Sequence, residues 1–226
     1  YEILIGLVGS EMCIRDSYWC EQKKFSKNTC TNAPASVLAF KLFEATQDST
    51  YFYQGKEMYS WTKEHLQDKT DYLYFDRINI DGSVGPAKHA YNSGQMMQSA
   101  AIQYKLTKDT VYLIDAQKIA KSCYDYFFRD YVTASGKQIR LLKKGDVWFS
   151  AVMLRGFAEL YSLDKNDMYV TEFAKSLDYA WLHARDEYGL FGVDYSGECC
   201  DPKKWLLTQA AMVEMYARLA ILNCNL

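Results

Sequence analysis

The chain has 226 residues, a formal net charge of −2 and a hydrophobic fraction of 49%, values typical of a folded globular protein and not of a disordered one. The nearly balanced charge offers no basic field for a nucleic-acid partner, and no apolar run approaches the ~20 residues of a membrane span. The 19 Tyr and only 3 Pro suit a mostly helical protein with aromatic surfaces.

Residues 1–17 differ from the rest of the chain. The apolar run from Ile3 to Val8 lacks the positively charged segment that begins a secretory signal. The stretch resembles translated sequencing-adapter sequence, and a natural strand or a disordered tail is the alternative. We therefore expect residues 1–17 to be a non-native or disordered tail without an export signal, and residues 18–226 to form the folded domain.

Helical periodicity recurs in pairs along the body of the chain. The pattern predicts seven helices, over 33–45, 51–66, 92–106, 111–128, 147–163, 168–183 and 205–224. Within each pair a short polar loop ends in an aspartate, Asp48, Asp109 or Asp167, which can accept from the free N–H groups of the next helix. This repeat predicts an all-α stack of helix hairpins, with apolar inner helices shielded by more charged outer ones.

Longer segments, 71–90, 133–146 and 188–204, precede the inner helices on one side of the repeat and read as loops. Binding groups commonly collect on such loops. Asp76 and Asp81 lie in the first of them. A binding role or a calcium-like oxygen cluster is conceivable for them, and a solvated turn is the favoured interpretation. Cys20 and Cys30 could form a disulfide in an oxidising compartment, and the sequence leaves that open. The seven cysteines include no Cys-x-x-Cys pair, so we expect no metal site and no cofactor.

Several segments resemble glycoside hydrolase family 76, the endo-α-1,6-mannanases. Tyr91-Asn92-Ser93-Gly94-Gln95 matches the family's Tyr-Asn-x-Gly signature at the start of an inner helix, and residues 27–35 match a second such opening. The likeness covers residues 18 to about 220. It implies an (α/α)6 toroid, a retaining enzyme that cleaves polymeric α-mannan, and a natural protein that is extracellular, periplasmic or held at the cell surface.

The chain departs from this family at its catalytic pair, which is two adjacent aspartates. No Asp-Asp occurs in the sequence, and seven predicted helices fall short of the twelve in a closed toroid. The resemblance therefore implies the C-terminal portion of a mannanase, an incomplete toroid that is inactive as given. No catalytic residue is assigned. On such an arc the apolar flank of the first helix pair is uncovered, which predicts self-association.

Seven residues are candidates for substrate binding. Tyr91, Asn92 and Gln95 would contact sugar at the floor of a cleft, although Asn92 could equally be a helix N-cap and Tyr91 could equally fill the core. Four more lie at other loop-to-helix junctions: Trp19, Asn32, Asp146 and Trp148. Helix capping is the stronger interpretation of Asn32 and Asp146, and packing in the core is an equal alternative for the tryptophans.

Two other function classes remain open from the sequence. Another toroidal sugar enzyme, of the unsaturated glucuronyl hydrolase or epimerase type, would need cationic groups in its cleft, which Arg77, Arg140 or Arg155 could supply. A non-catalytic helical-repeat module would bind protein on its concave face. Polar, aromatic-rich loops speak against the second alternative.

Overall fold

The structure is a computed structural model that describes residues 18, 22, 24–199 and 201–222. Seven helices occur in this part of the chain: α1 (Thr29–Thr46), α2 (Ser49–Leu66), α3 (Ala90–Thr107), α4 (Thr110–Phe127), α5 (Val147–Asp164), α6 (Met168–His183) and α7 (Leu206–Ile221). Five short strands precede or separate the helix pairs: β1 (Ser26–Asn28), β2 (Phe75–Asn79), β3 (Val84–Lys88), β4 (Phe128–Val132) and β5 (Gln138–Leu142). None of the described helices has the length and apolar character needed to cross a bilayer.

The helices form hairpins, as predicted. α1 packs on α2 and α3 packs on α4, while α1, α3, α5 and α7 contact one another in chain order along the inner side. The inner helix α3 is buried on most of its circumference, whereas the outer helix α4 buries one narrow face. This arrangement of inner and outer helices is a partial (α/α)6 toroid and confirms the predicted fold class.

The turns within the hairpins share one construction. Gln47, Lys108 and Lys165 end the inner helices in the left-handed conformation, with φ between 59° and 61°. The predicted caps are present at Asp48 and Asp109, whose side chains accept from the N–H of the second residue on, at 2.9 and 3.1 Å. The third cap was predicted wrongly. The side chain of Asn166 accepts from Met168 N–H instead, at 3.2 Å, and Asp167 makes no such bond.

Two glycines set the distance between the inner helices α3 and α5. A Cβ on Gly94 would lie 2.4 Å from Met153 Cα, and a Cβ on Gly156 would lie 2.3 Å from the Gly94 carbonyl oxygen. The glycine of the Tyr-Asn-x-Gly signature is therefore required by backbone packing. The close contact brings the first turns of α3 and α5 side by side.

Two β-hairpins correct the sequence analysis. The hairpin β2–β3 lies within the predicted loop 71–90, while of the second hairpin only β5 lies within the predicted loop 133–146 and β4 precedes it. β2 pairs antiparallel with β1 and β3, and β4 pairs with β5 over five consecutive residues. Strands of five residues give little periodicity, and the side chains of β2 do not alternate between buried and exposed. Helix α1 also begins four residues before the predicted 33, because β1 runs straight into it and Pro34 lies inside the helix.

Candidate functional site

The candidate site lies where the β2–β3 hairpin covers the first turn of α3. Thr29, at the start of α1, donates its hydroxyl to the Phe75 carbonyl at 2.6 Å, and Ser93 of α3 accepts from Tyr74 N–H at 3.0 Å. On the partner strand, Lys88, which pairs with Phe75, bridges Asp68 and Asp71 at 2.6 and 2.7 Å. These contacts fix β2 above the start of α3.

Asp76 lies at an irregularity of the β2–β3 pairing, between the paired residues Phe75 and Arg77. Such bulges redirect a side chain out of the regular strand pattern. Its carboxylate oxygen Oδ1 is 3.4 Å from the Tyr91 hydroxyl and 3.4 Å from Asn92 Nδ2, both of which can donate to it. One carboxylate thus joins two residues of the signature.

Asn92 is fully buried in the first turn of α3. Its amide nitrogen faces Asp76, while its Oδ1 is buried without a hydrogen-bond partner in the described part of the chain. The N-cap interpretation was wrong, because His89 is the N-cap and α3 begins at Ala90. A buried carbonyl oxygen without a donor is costly. Because the oxygen is shielded from solvent, an internal water molecule is the donor that could satisfy it.

Tyr91 stands in an aromatic cluster formed by two inner helices. Its ring centre is 5.5 Å from that of His89, nearly parallel, and 4.3 Å from that of Phe149 at the start of α5. Burial raises the pKa of the Tyr91 hydroxyl, as do the nearby Cys30 and Asp76. Burial first, and then the charge of Asp76, also raises the pKa of the half-buried Cys30 thiol. The hydroxyl is therefore neutral and available as a donor.

The other predicted binding residues occupy different settings. Gln95 is half-buried one turn further along α3. Asp146 accepts from Trp148 N–H at 2.9 Å and caps α5, and the Trp148 ring lies 4.9 Å from the Arg155 guanidinium. Both belong to the helix that brings Phe149 to Tyr91. Binding by Gln95, Asp146 and Trp148 stays a prediction.

Asn32 is fully buried and donates to the Asn28 carbonyl at 2.9 Å, a contact within the start of α1. A binding role for Asn32 also remains a prediction. Trp19 lies outside the described residues, as does Cys20, while Cys30 carries a free thiol. Within the described ranges no group of three or more His, Cys, Asp or Glu is placed to hold a metal ion.

Asp76 is the site residue that sequence reasoning missed. It was interpreted as part of a solvated turn, whereas the hairpin places its carboxylate against Tyr91 and Asn92. The available signal was its position in a Tyr- and Asn-rich segment just before the signature helix. Two of the three cationic groups expected of a uronic-acid enzyme are engaged elsewhere. Arg155 forms a two-point ion pair with Glu214, and Arg140 lies over Tyr124.

Comparison with known proteins finds similar sequences and similar folds. Residues 15–223 match the model of glycosyl hydrolase family 76. A family 76 glycoside hydrolase from a bovine Bacteroides thetaiotaomicron strain is 38% identical with a TM-score of 0.84, over 87% of this chain and 44% of its own. A family 76 mannosidase from Bacteroides thetaiotaomicron is 36% identical with a TM-score of 0.83, over 87% of this chain and 55% of its own.

The α-1,6-mannanase GH76A of Salegentibacter is 26% identical with a TM-score of 0.79, over 92% of this chain and 63% of its own. An inactive variant of that enzyme, with two adjacent aspartates replaced by alanine, forms a complex with α-1,6-mannotetrose. The chain thus spans between 44% and 63% of the lengths of these three relatives.

Proposed function

The chain belongs to glycosyl hydrolase family 76, and from this premise we propose that it forms part of the substrate cleft of an enzyme that cleaves α-1,6-linked mannan. The observation that carries the proposal is the cluster of Asp76, Tyr91 and Asn92, in which the partly exposed Asp76 carboxylate is held by a tyrosine hydroxyl and a buried amide. A relative that binds α-1,6-mannotetrose supports the choice of substrate.

The chemistry of the cluster suits a neutral sugar. The Asp76 carboxylate retains lone pairs beyond its two long contacts of 3.4 Å, so it can accept from sugar hydroxyls. The buried Asn92 orients that carboxylate through its amide N–H, and the rings of Tyr91 and Phe149 provide an apolar wall for the C–H face of a pyranose. In the proposed complex these groups bind and orient the sugar and make no bond to it.

We propose further that this chain alone does not hydrolyse mannan. Retaining cleavage needs a nucleophilic carboxylate and an acid/base carboxylate roughly 5 Å apart. The inactive Salegentibacter variant, altered at two adjacent aspartates, supports a paired-aspartate mechanism in that enzyme. This chain contains no two adjacent aspartates. Without both groups, proton transfer worth ~10²–10⁴-fold in rate is lost together with covalent catalysis.

The test is a binding and turnover measurement on the full chain. We expect α-1,6-mannotetraose to bind by isothermal titration calorimetry and no reducing sugar to appear on incubation with α-1,6-mannan. Asn92→Ala should weaken binding roughly tenfold, the value of one or two lost hydrogen bonds. Gln117→Ala, on the outer helix α4, is the control. Binding unaffected by Asn92→Ala, or absent from the wild type, would contradict the proposal.

We also propose that the natural enzyme acts outside the cytoplasm, because polymeric mannan is external to the cell. Secretion of the protein encoded by the intact gene, followed by immunoblotting of cell fractions, tests this. Confinement to the cytosolic fraction would contradict it.

Self-association is proposed for this chain as well, here through α7, the last described helix, and not through the first helix pair. Leu206, Val213 and Ile221 of α7 are 79%, 68% and 80% exposed and lie on one face of the helix. Sedimentation velocity should show concentration-dependent oligomers, and a triple substitution of these residues by Lys should give a monomer. A wild type that stays monomeric at all concentrations would refute this.

A further inference from the structure

A second groove lies on the outer side of the molecule, between the β4–β5 hairpin and the outer helix α6. Its volume is about 690 Å³, within the ~300–1,000 Å³ of typical small-molecule sites. Tyr124, Tyr131 and Tyr179 contribute aromatic walls. The groove shares no residue with the cluster of Asp76, Tyr91 and Asn92.

The charged residues of the groove balance in sign. Three carboxylates and three cations line it: Asp130, Glu172, Asp178, Lys137, Arg140 and Lys175. Most of the charge is internally paired, since Lys175 lies 2.7 Å from Glu172 and Arg140 lies 3.4 Å from Asp130. A groove without net charge has no electrostatic preference for an anion or a cation. Its polar groups suit an uncharged ligand that is rich in donors and acceptors.

Asp178 stands apart from these pairs. Among the described residues no side chain donates a hydrogen bond to its carboxylate or forms an ion pair with it, and partial burial raises its pKa. The neighbouring Tyr179 packs edge-on against Tyr131, with ring centres 5.5 Å apart, and the Arg140 guanidinium covers Tyr124 at 4.3 Å. An open acceptor thus lies beside flat aromatic and guanidinium surfaces.

We propose that this groove is a second binding site for a neutral oligosaccharide, in which Tyr131 and Tyr179 contact the C–H faces of the sugar units and Asp178 accepts from their hydroxyls. The ligand class follows from the chemistry of the groove. The choice of α-mannan as one probe rests on the proposed function. A site on the outer wall would hold a polymeric chain close to the cleft without taking part in its cleavage.

The experiment measures binding of three neutral tetrasaccharides, α-1,6-mannotetraose, maltotetraose and cellotetraose, to the full chain by calorimetry. Tyr131→Ala and Asp178→Asn should each weaken binding of at least one of them, about tenfold for loss of the aromatic platform. Asn92→Ala should leave that binding component unchanged. The matched controls are Tyr126→Ala and Asp125→Asn on α4, which change the same residue types outside the groove.

The outcomes of these binding measurements distinguish the groove from the cluster of Asp76, Tyr91 and Asn92. The groove is not a glycan site if Asn92→Ala abolishes binding of every tetrasaccharide and the groove variants change the binding of none. Tighter binding of an oligouronate than of any neutral glycan in the groove would also overturn the inference. If mannotetraose fails to bind while another neutral glycan binds and responds to Asp178→Asn, the inference stands and the proposed function fails. Asp178→Asn carries the test alone if circular dichroism shows that Tyr131→Ala is misfolded.

Discussion

The two β-hairpins occupy the same place in the helix repeat but present different chemistry. Each follows an outer helix and precedes an inner one. The β2–β3 hairpin is irregular at Asp76 and directs that carboxylate onto the start of α3, whereas the β4–β5 hairpin pairs without interruption and packs along the outer helix α6. One interruption in strand pairing therefore distinguishes an inward-facing cluster from an outward-facing groove.

The largest effect is expected where the two inner helices that follow these hairpins meet. Gly94→Ala places a methyl group against the backbone of Met153, so α3 and α5 must separate. We expect the free energy of unfolding to fall by about 1–3 kcal/mol or more, measured by urea denaturation. Gly145→Ala, whose added Cβ meets nothing within 4 Å, is the control. Equal stability of the two variants would show that the close contact is unimportant.

A smaller effect, measured on ligand binding, should distinguish the two hairpins. Asp76→Asn removes a charged acceptor from the cluster and should weaken α-1,6-mannotetraose binding roughly tenfold. Binding in the outer groove should not change. Asp81→Asn, at the exposed tip of the same hairpin, is the control because it keeps the side-chain oxygen that accepts from Ser83. If both sites weaken together, the hairpins do not act independently.

The same substitution, Asp76→Asn, should lower the pKa of the Cys30 thiol. The charge of Asp76 is the second cause, after burial, of the raised pKa of Cys30. Asp76→Asn should therefore move the pH midpoint of Cys30 alkylation downward, followed by peptide mass spectrometry between about pH 7 and 11. The exposed Cys199 serves as an internal reference. An unchanged midpoint would mean that the Asp76 carboxylate does not face Cys30.

The smallest effect concerns the ion pairs that anchor the first hairpin. Hydrogen bonding from Lys88 lowers the pKa of Asp68 to about 2. A lowered pKa in the folded state gives stability that is present above the unfolded value near 4 and is lost as the pH falls towards 2. Thermal melting at a series of pH values should show this loss in the wild type and a shallower one in Asp68→Asn. The difference should be small, because surface ion pairs are screened.

The helices could be predicted from sequence because their apolar faces repeat over sixteen to eighteen residues, and five of the seven agree with the prediction to within two residues at both ends. Helix α1 starts four residues earlier than predicted, and α7 ends three residues earlier. The hairpins could not, since five-residue strands leave too short a pattern. Tyr91 and Asn92 were identifiable through the signature. Asp76 was not, because its role depends on a pairing irregularity 15 residues before Tyr91. The cap at Asp167 failed because the backbone of Asp167 is already helical, whereas the capping residues Asp48 and Asp109 are extended.

The three turns that end in left-handed Gln47, Lys108 and Lys165 have a consequence for how such a protein can change. They give these three helix hairpins the same bend at the edge remote from the cluster of Asp76, Tyr91 and Asn92. The curvature of the stacked inner helices is therefore fixed at that edge. Connections at the opposite edge can then lengthen, shorten or exchange side chains without altering that curvature. New specificities can arise there on an unchanged frame.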